Sequence, residues 1–440
     1  MSEPSDESVS THPPNSELPS LYHDRSYWGL ATTQFLGAFN DNLFKQLMLL
    51  LATPAAIAVA GVAQPPDRQS EAMIVFASGF LLFSGLAGYL SDKYSKRRVI
   101  VLSKMAEIAV MTTGLVAFFC YDWIDFSGLL LVLFFMGLQS TFFGPAKYGI
   151  LPETLRASDL PRANGIFMML TFLAIIFGTA IAGTLLWFLE GANLPVWPVS
   201  LVCIGIAIVG TQTALLVRRV PPVDPHLRFR WRSVTVPQEI VGLLRRDREL
   251  FWTLIVASMF WMLGGIVQQT VNALGKTQLG LADWQTSLMA AMIGIGIAIG
   301  CVLGGFLSAG KINARVVATG ASGIVACLLL MSLPGGPRNH LLQFQGSIPV
   351  LIALGIFTGM FVVPVQVVLQ MRPPKSEKGR MIAVANLATN VGIIFGAVIY
   401  KISISILDGI GGPRSAIFAV TAAIMLPVAL FYRPQDEVLV

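Results

Sequence analysis

The sequence predicts an all-α membrane protein with twelve transmembrane helices in two six-helix bundles. Three observations carry this reading: an apolar composition, twelve apolar runs of spanning length, and loops that alternate between basic and non-basic. Of the 440 residues, 55% are hydrophobic and 12% charged, and the mean hydropathy is +0.70. A soluble domain carries about a quarter charged residues, so much of this surface has to face lipid. That excludes a secreted disulfide scaffold, a soluble enzyme on a membrane anchor, and a disordered chain. Cys120, Cys203, Cys301 and Cys327 lie inside apolar runs and read as small core residues. No metal-ligand spacing joins them to His12, His23, His226 or His340, so neither metal nor cofactor is expected.

Residues 1–25 are Ser/Pro-rich, with five acids and the single base Arg25. This is a solvated tail; a signal peptide would start basic and end at a small-residue cleavage site. Apolar runs follow near 26–56, 72–91, 99–120, 127–150, 162–189 and 195–217. A second set lies near 249–274, 284–309, 313–333, 347–371, 380–405 and 413–432. Each is long enough for a helix crossing the bilayer, which takes about 20 residues. Of the 30 Lys and Arg, 21 sort to the loops after even-numbered spans and five to the loops after odd-numbered ones. Basic loops stay cytoplasmic, which puts both termini inside. The expected organisation is a tail (1–25), an N-terminal bundle (26–217), a cytoplasmic linker (218–248) and a C-terminal bundle (249–440). The linker holds eight bases, and Gln238 to Leu244 has the pattern of a short amphipathic helix.

Span 2 ends in Gly88-Tyr-Leu90-Ser91-Asp92-Lys93-Tyr-Ser95-Lys96-Arg97-Arg98. An acid at a helix end can face the positive N-terminus of a neighbouring helix, and the bases beside it can pair with it or with lipid phosphate. The segment resembles the signature loop of the major facilitator superfamily, Gly-x-Leu-Ala-Asp-Arg-x-Gly-Arg-Arg. The resemblance implies a gating role for Gly88, Asp92, Arg97 and Arg98. Asp92 would meet the start of span 11, near residues 379–383, when the cytoplasmic side closes. In the second half, Gly304-Gly305-Phe-Leu307-Ser308-Ala309-Gly310-Lys311 keeps the glycines without the acid. Phe143-Gly144-Pro145 with Ala163-Asn164-Gly165, and Val363-Pro364 with Ala385-Asn386-Leu387, form a better internal repeat. Two similar six-span halves with substrate near the midplane between them are what that fold implies.

Polar residues at membrane depth mark candidate sites, because burying them unpaired is costly. Span 1 contains Asn40-Asp41-Asn42 and Lys45; Asp41 and Lys45, four apart, share a helix face where they can neutralise each other. They read either as a static salt bridge or as a cavity-facing pair that binds a zwitterion. Lys104 and Glu107 in span 3, three apart near its cytoplasmic end, read as a structural pair or a snorkelling base. Lys147 follows Pro145, which bends span 4, and either points into the cavity or obeys the positive-inside rule. Spans 7, 10 and 11 offer amides and hydroxyls instead of charges: Gln268, Gln269, Asn272, Gln366, Gln370, Asn386, Thr389 and Asn390.

A narrower resemblance joins these residues. Gln34-Phe-Leu-Gly-Ala-Phe39-Asn-Asp41-Asn42-Leu-Phe-Lys45 is similar to the first-span motif of bacterial lysophospholipid transporters. It is similar also to the transporter domain fused to acyltransferase and acyl-carrier-protein synthetase. Pro145-Ala-Lys147-Tyr-Gly149-Ile-Leu151 and Gly359-Met-Phe361-Val-Val-Pro364 resemble later segments of that family. Two positions depart: stand-alone members carry Arg where Gln268 falls and Glu where Thr389 falls. The resemblance implies a flippase of the bacterial inner membrane that moves lysophospholipid inward for reacylation. It implies a functional link to an acyltransferase/acyl-ACP synthetase, membrane lipids as partners, no nucleic acid and a monomer. The expected substrate-binding residues are Asp41, Asn42, Lys45, Lys147, Gln268, Gln269, Thr389 and Asn390. A proton-coupled exporter of drugs or metabolites, with Asp41 as the protonated group, is the alternative. Catalysis is not expected: such acyltransferases use His-x4-Asp, and none of the four histidines has Asp five residues on.

Overall fold

The computed structural model describes residues 19–55, 65–156, 159–227, 238–308, 313–335, 340–374 and 378–434. The tail before residue 19, the linker stretch 228–237, residues 309–311 of the second-half glycine loop and the Gln370 side chain lie outside the described residues. Six long helices come first: α1 (Arg25–Leu51), α2 (Gln69–Lys93), α3 (Lys96–Phe119), α4 (Tyr121–Thr154), α5 (Leu160–Gly191) and α6 (Pro198–Ala214). A short α7 (Gln238–Arg246) precedes six more: α8 (Arg248–Ala273), α9 (Asp283–Ser308), α10 (Ala314–Ser332), α11 (Gln343–Met371), α12 (Lys378–Ile410) and α13 (Ala416–Phe431). A π-helical turn, Leu274–Gln278, extends α8. Nine of the described helices are long and apolar enough to cross a membrane, and α6 and α13 are shorter apolar helices. The middle of α1 is polar, with Asn40-Asp41-Asn42, Lys45 and Gln46.

The end of the tail is more ordered than its composition predicts. Leu21–His23 form a 3-10 turn, and Leu21 and Asp24 are buried. Asp24 caps α1 by accepting from the Ser26 and Tyr27 N–H groups at 2.8 and 3.3 Å, and it faces Arg218 at 3.4 Å. A caps-plus-cation site fixes these residues where composition alone reads solvent.

Within each half, small residues let helices approach to backbone contact. A Cβ added to Gly79 of α2 would sit 2.7 Å from the Leu138 nitrogen of α4, and one on Gly296 of α9 would sit 2.8 Å from Gly355 Cα of α11. The second and fourth spans of each half therefore pair alike, as small-residue helix packing in membranes allows. Phe44, Leu47, Met111, Leu133 and Cys203 fill one end of the first half. Tyr27, Ile100, Ile150 and Phe167 fill the other. Leu254, Val317, Leu351, Phe361 and Phe418 centre the second half.

The linker divides its attachments. Val220 and Leu227 carbonyls accept from Ser95 Oγ and Tyr89 Oη of the first half. In α7, Ile240 is buried, with Leu243 and Leu244, against the second half's core. Arg372 then ties Asp247 and Glu249 together at 2.6 and 2.8 Å.

Candidate functional site

Along α1, Phe35, Ala38, Asp41, Asn42 and Lys45 are half-buried, while the flanking Asn40, Leu43 and Phe44 are buried. The spacing makes one helix face, partly open at mid-depth. Asp41 Oδ2 accepts from Ser140 Oγ of α4 at 2.5 Å, and Oδ1 from Gln139 Nε2 at 3.4 Å. Lys45 Nζ donates to Asn42 Oδ1 at 3.0 Å and lies 5.7 Å from the Phe76 ring centroid of α2. Of the two readings of Asp41 and Lys45, the static salt bridge is not formed among the described residues: each group is held by a neutral partner. Hydroxyl and amide partners leave both charges able to accept a second, external ligand.

Lys147 sits inside α4, which runs on through Pro145 and Pro152 to Thr154. Its Nζ donates to Gln34 Oε1 of α1 at 2.9 Å and lies about 5 Å from the Phe143 and Tyr148 rings. Gln34 in turn donates to Thr171 Oγ1 of α5 at 2.9 Å. The cation thus belongs to the bundle interior and not to the basic loop. By contrast, Lys104 and Glu107 form an ion pair of 2.5 Å at 2% and 0% side-chain exposure. Asn40 Nδ2 donates to Glu107 Oε1 at 2.8 Å, and a side chain on Gly37 would strike Lys104 Nζ. This is a closed structural knot behind α1.

The two halves meet at the end away from the basic loops. There, one directional chain of hydrogen bonds crosses the seam. Gln268 Nε2 donates to Gln46 Oε1 (3.2 Å), and Gln46 Nε2 to Asn272 Oδ1 (3.0 Å). Asn272 Nδ2 donates to Gln69 Oε1 (3.0 Å), Gln69 Nε2 to Tyr400 Oη (3.0 Å), and Tyr400 Oη to Asp67 Oδ2 (2.8 Å). Each member polarises the next, with a carboxylate at the end. Gln269 is buried and takes another route, accepting from Ser70 Oγ at 3.3 Å. It faces the seam, in contrast to the substrate-contacting position expected of it. Lys276 adds a bond to the Leu50 carbonyl at 3.0 Å, Thr277 one to the Pro54 carbonyl at 2.7 Å, and Trp187 packs edge-on against Trp284.

Toward the basic loops the halves part. Asn386, Asn390, Ile393 and Ala397 follow one face of α12. Ile393 and Ala397 pack on the first half's core, whereas Asn386 is exposed and Asn390 Nδ2 bonds to the Asn386 carbonyl (2.9 Å) within its own helix. Thr389, one position off this face, is half-buried. A Cβ on Gly88 or Gly144 would meet no described residue within 4 Å. Asp92 is exposed, and its backbone carbonyl accepts from Asp224 N–H at 3.1 Å. Arg97 Nη2 donates to the Leu215 carbonyl at 2.7 Å, and Arg98 is exposed.

Asp41, Asn42 and Lys45 are thus brought together, with Lys147 nearer the open end and Gln268 at the floor through Gln46. Thr389 and Asn390 stand on the second half's α12. The sequence reading missed Gln139, Ser140, Gln46, Gln69, Asp67 and Tyr400 as partners. Gln139-Ser140, inside an apolar run, and Gln46, beside Lys45, gave a local signal.

The sequence profile of the Major Facilitator Superfamily matches residues 30–397. The chain is 29% identical over 417 residues to the lysophospholipid transporter LplT of Enterobacter sp. (strain 638), covering 91% of this chain and 96% of that one. It is 28% identical over 413 residues to LplT of Klebsiella pneumoniae (strain 342), covering 92% and 96%. Among solved structures, a POT family transporter in complex with a thioalcohol-conjugated peptide superposes with a TM-score of 0.70 at 13% identity, covering 96% of this chain and 97% of that one. The nucleoside transporter NupG superposes with a TM-score of 0.66 at 14% identity, covering 92% and 98%. The profile match, the paired six-helix packing and these superpositions agree: the chain belongs to the Major Facilitator Superfamily.

Proposed function

We propose that this protein flips lysophospholipids across the bacterial inner membrane by alternating access, delivering them inward for reacylation. The observation that carries the reading is one carboxylate and two amines, Asp41, Lys45 and Lys147, on or beside a partly open mid-membrane face of the first half. Each is held by neutral side chains. A zwitterionic headgroup needs both signs of charge, and its single acyl chain needs a long apolar wall. Asp41 takes the ammonium; Lys45 and Lys147 take the phosphate as point charges. The opposite wall, with Gln268, Thr389 and Asn390, supplies hydrogen bonds only, so headgroup discrimination is weaker than a charged wall would give.

In this reading the basic loops and both termini are cytoplasmic, and the seam from Gln268 to Asp67 is the closed periplasmic gate. The opposite state forms when Asp92 meets the start of α12, so the Gly88–Arg98 segment is the inner gate. The similarity to lysophospholipid transporters over nine tenths of the chain supports the substrate class. A functional link to an acyltransferase/acyl-ACP synthetase follows from the need to consume the product, and the transporter acts as a monomer without catalysis of its own. Uptake of labelled lysophosphatidylethanolamine in spheroplasts lacking their own flippase tests the proposal, with Asp41→Asn as control. Uptake above background that falls in the variant is the expected result. Background-level uptake alongside drug efflux would replace lipid transport by drug export.

A further inference from the structure

A groove of about 840 Å³ lies at the basic end, between the start of α3, the end of α6 and the first part of the linker. Four cations line it: Lys93, Arg97, Arg98 and Arg219. Asp92 and Asp224 adjoin these residues in sequence, but no acid is among the residues that line the groove. Lys93 is committed to Tyr89 Oη at 2.9 Å. Arg98 and Arg219 are exposed and form no ion pair with a described residue. Arg97 gives one nitrogen to Leu215, yet its buried Nε has no hydrogen-bond partner among the described residues. The start of α3 adds to this positive field, since Ser95 makes no side-chain cap and its hydroxyl is spent on Val220.

The groove is also continuous with the lipid-facing surface. Arg98, Leu102, Met105 and Ala109 form one exposed stripe down α3, with Leu102 at 63% and Met105 at 54%. Tyr94, 45% exposed, stands at the rim. A soluble anion needs only the cations. A base cluster that runs without a break into an apolar stripe of a spanning helix fits a molecule with an anionic head and hydrocarbon tails.

We propose that this groove is a binding site for an anionic phospholipid of the leaflet on the basic side. Its phosphodiester sits among Arg97, Arg98 and Arg219, and its chains lie along Leu102 and Met105. The occupant is a bound membrane component, separate from the transported molecule, and the proposal does not depend on the substrate reading. Because Ser95 also holds the linker carbonyl of Val220 and Arg97 the Leu215 carbonyl at the end of α6, an occupied groove would brace the start of the linker against the first half.

Native mass spectrometry of the full chain, titrated with phosphatidylglycerol and with phosphatidylethanolamine, tests this. Wild type is expected to retain phosphatidylglycerol preferentially. Arg98→Gln/Arg219→Gln should weaken it about 10- to 30-fold, from about fivefold per surface base. Arg98→Lys/Arg219→Lys should keep most of the preference. Arg245→Gln/Arg246→Gln on α7 removes the same charge elsewhere and should leave it intact; thermal unfolding confirms that each variant is folded. An equal loss in the α7 variant would mean diffuse attraction and overturn the site. Displacement of the lipid by millimolar inorganic phosphate would mark a soluble-anion site and overturn the lipid assignment.

Discussion

Replacing Tyr400 by Phe removes one oxygen from the seam and keeps the ring. The hydroxyl donates to Asp67 Oδ2 at 2.8 Å and accepts from Gln69 Nε2 at 3.0 Å, and Tyr400 is 1% exposed. Gln69 is not orphaned by the change, because Asp67 Oδ2 at 3.1 Å and the Gln269 carbonyl at 3.3 Å remain acceptors. The cost is therefore the hydroxyl–carboxylate bond, worth about 1.5–3 kcal/mol. Since Tyr400 and Asp67 separate when this end opens, the loss falls on the closed state alone. About 2 kcal/mol raises the open population of this end about 30-fold. The readout is the rate at which an impermeant thiol reagent labels a cysteine placed at Ser70, which is buried in the seam beside Gln269. Native Cys120, which caps α3 and is exposed instead of lying in the core as its apolar context suggested, serves as the reference, resolved by peptide mass spectrometry. A tenfold or larger acceleration is expected. An unchanged labelling ratio in a folded Tyr400→Phe protein would refute the role given to the hydrogen-bond chain.

Three further outcomes follow from the same geometry. Burial raises the Asp67 carboxyl above the usual carboxylate range, against hydrogen bonds from Gln69 and Tyr400 and the charge of Arg414. In the open state Asp67 returns to water and its ordinary value, so the closed state binds the proton more tightly. Acidification should therefore favour closure, and the Ser70→Cys to Cys120 labelling ratio should fall as pH is lowered toward the ordinary carboxylate value. Lys104→Met leaves Glu107 charged in the interior and should cost about 3–5 kcal/mol in unfolding; Lys104→Met/Glu107→Leu should recover most of it. Asp92→Asn keeps the shape of the proposed inner gate without its charge, and should raise labelling of a cysteine at Ala383 while slowing transport. Unchanged accessibility and transport would remove Asp92 from the gate.

The spans were legible because hydropathy and loop charge are local properties, read window by window. Asp41, Lys45 and Lys147 stood out for the same reason: an ionised group in an apolar run is visible without knowing the fold. Partner choice was not visible. Asp41 and Lys45 are four residues apart, yet Ser140 and Asn42 hold them, because α4 supplies a hydroxyl where the helix face alone offers a lysine. Gln268 and Gln269 are neighbours in sequence, but a step of about 100° around α8 sends one to α1 and the other to α2. The seam was least legible. Gln46, Asn272, Gln69 and Tyr400 are up to several hundred residues apart, and each alone looks like an ordinary interfacial side chain.

The most direct test is flux through the purified protein. Reconstituted into liposomes, wild type should move fluorescent lysophosphatidylethanolamine between leaflets well above the protein-free rate. Asp41→Asn and Lys45→Gln/Lys147→Gln should each lose at least tenfold, since a charge-assisted contact contributes about 1.5–3 kcal/mol and tenfold takes about 1.4 kcal/mol. Wild-type flux equal to that of protein-free vesicles would contradict the lysophospholipid assignment, whatever the variants do.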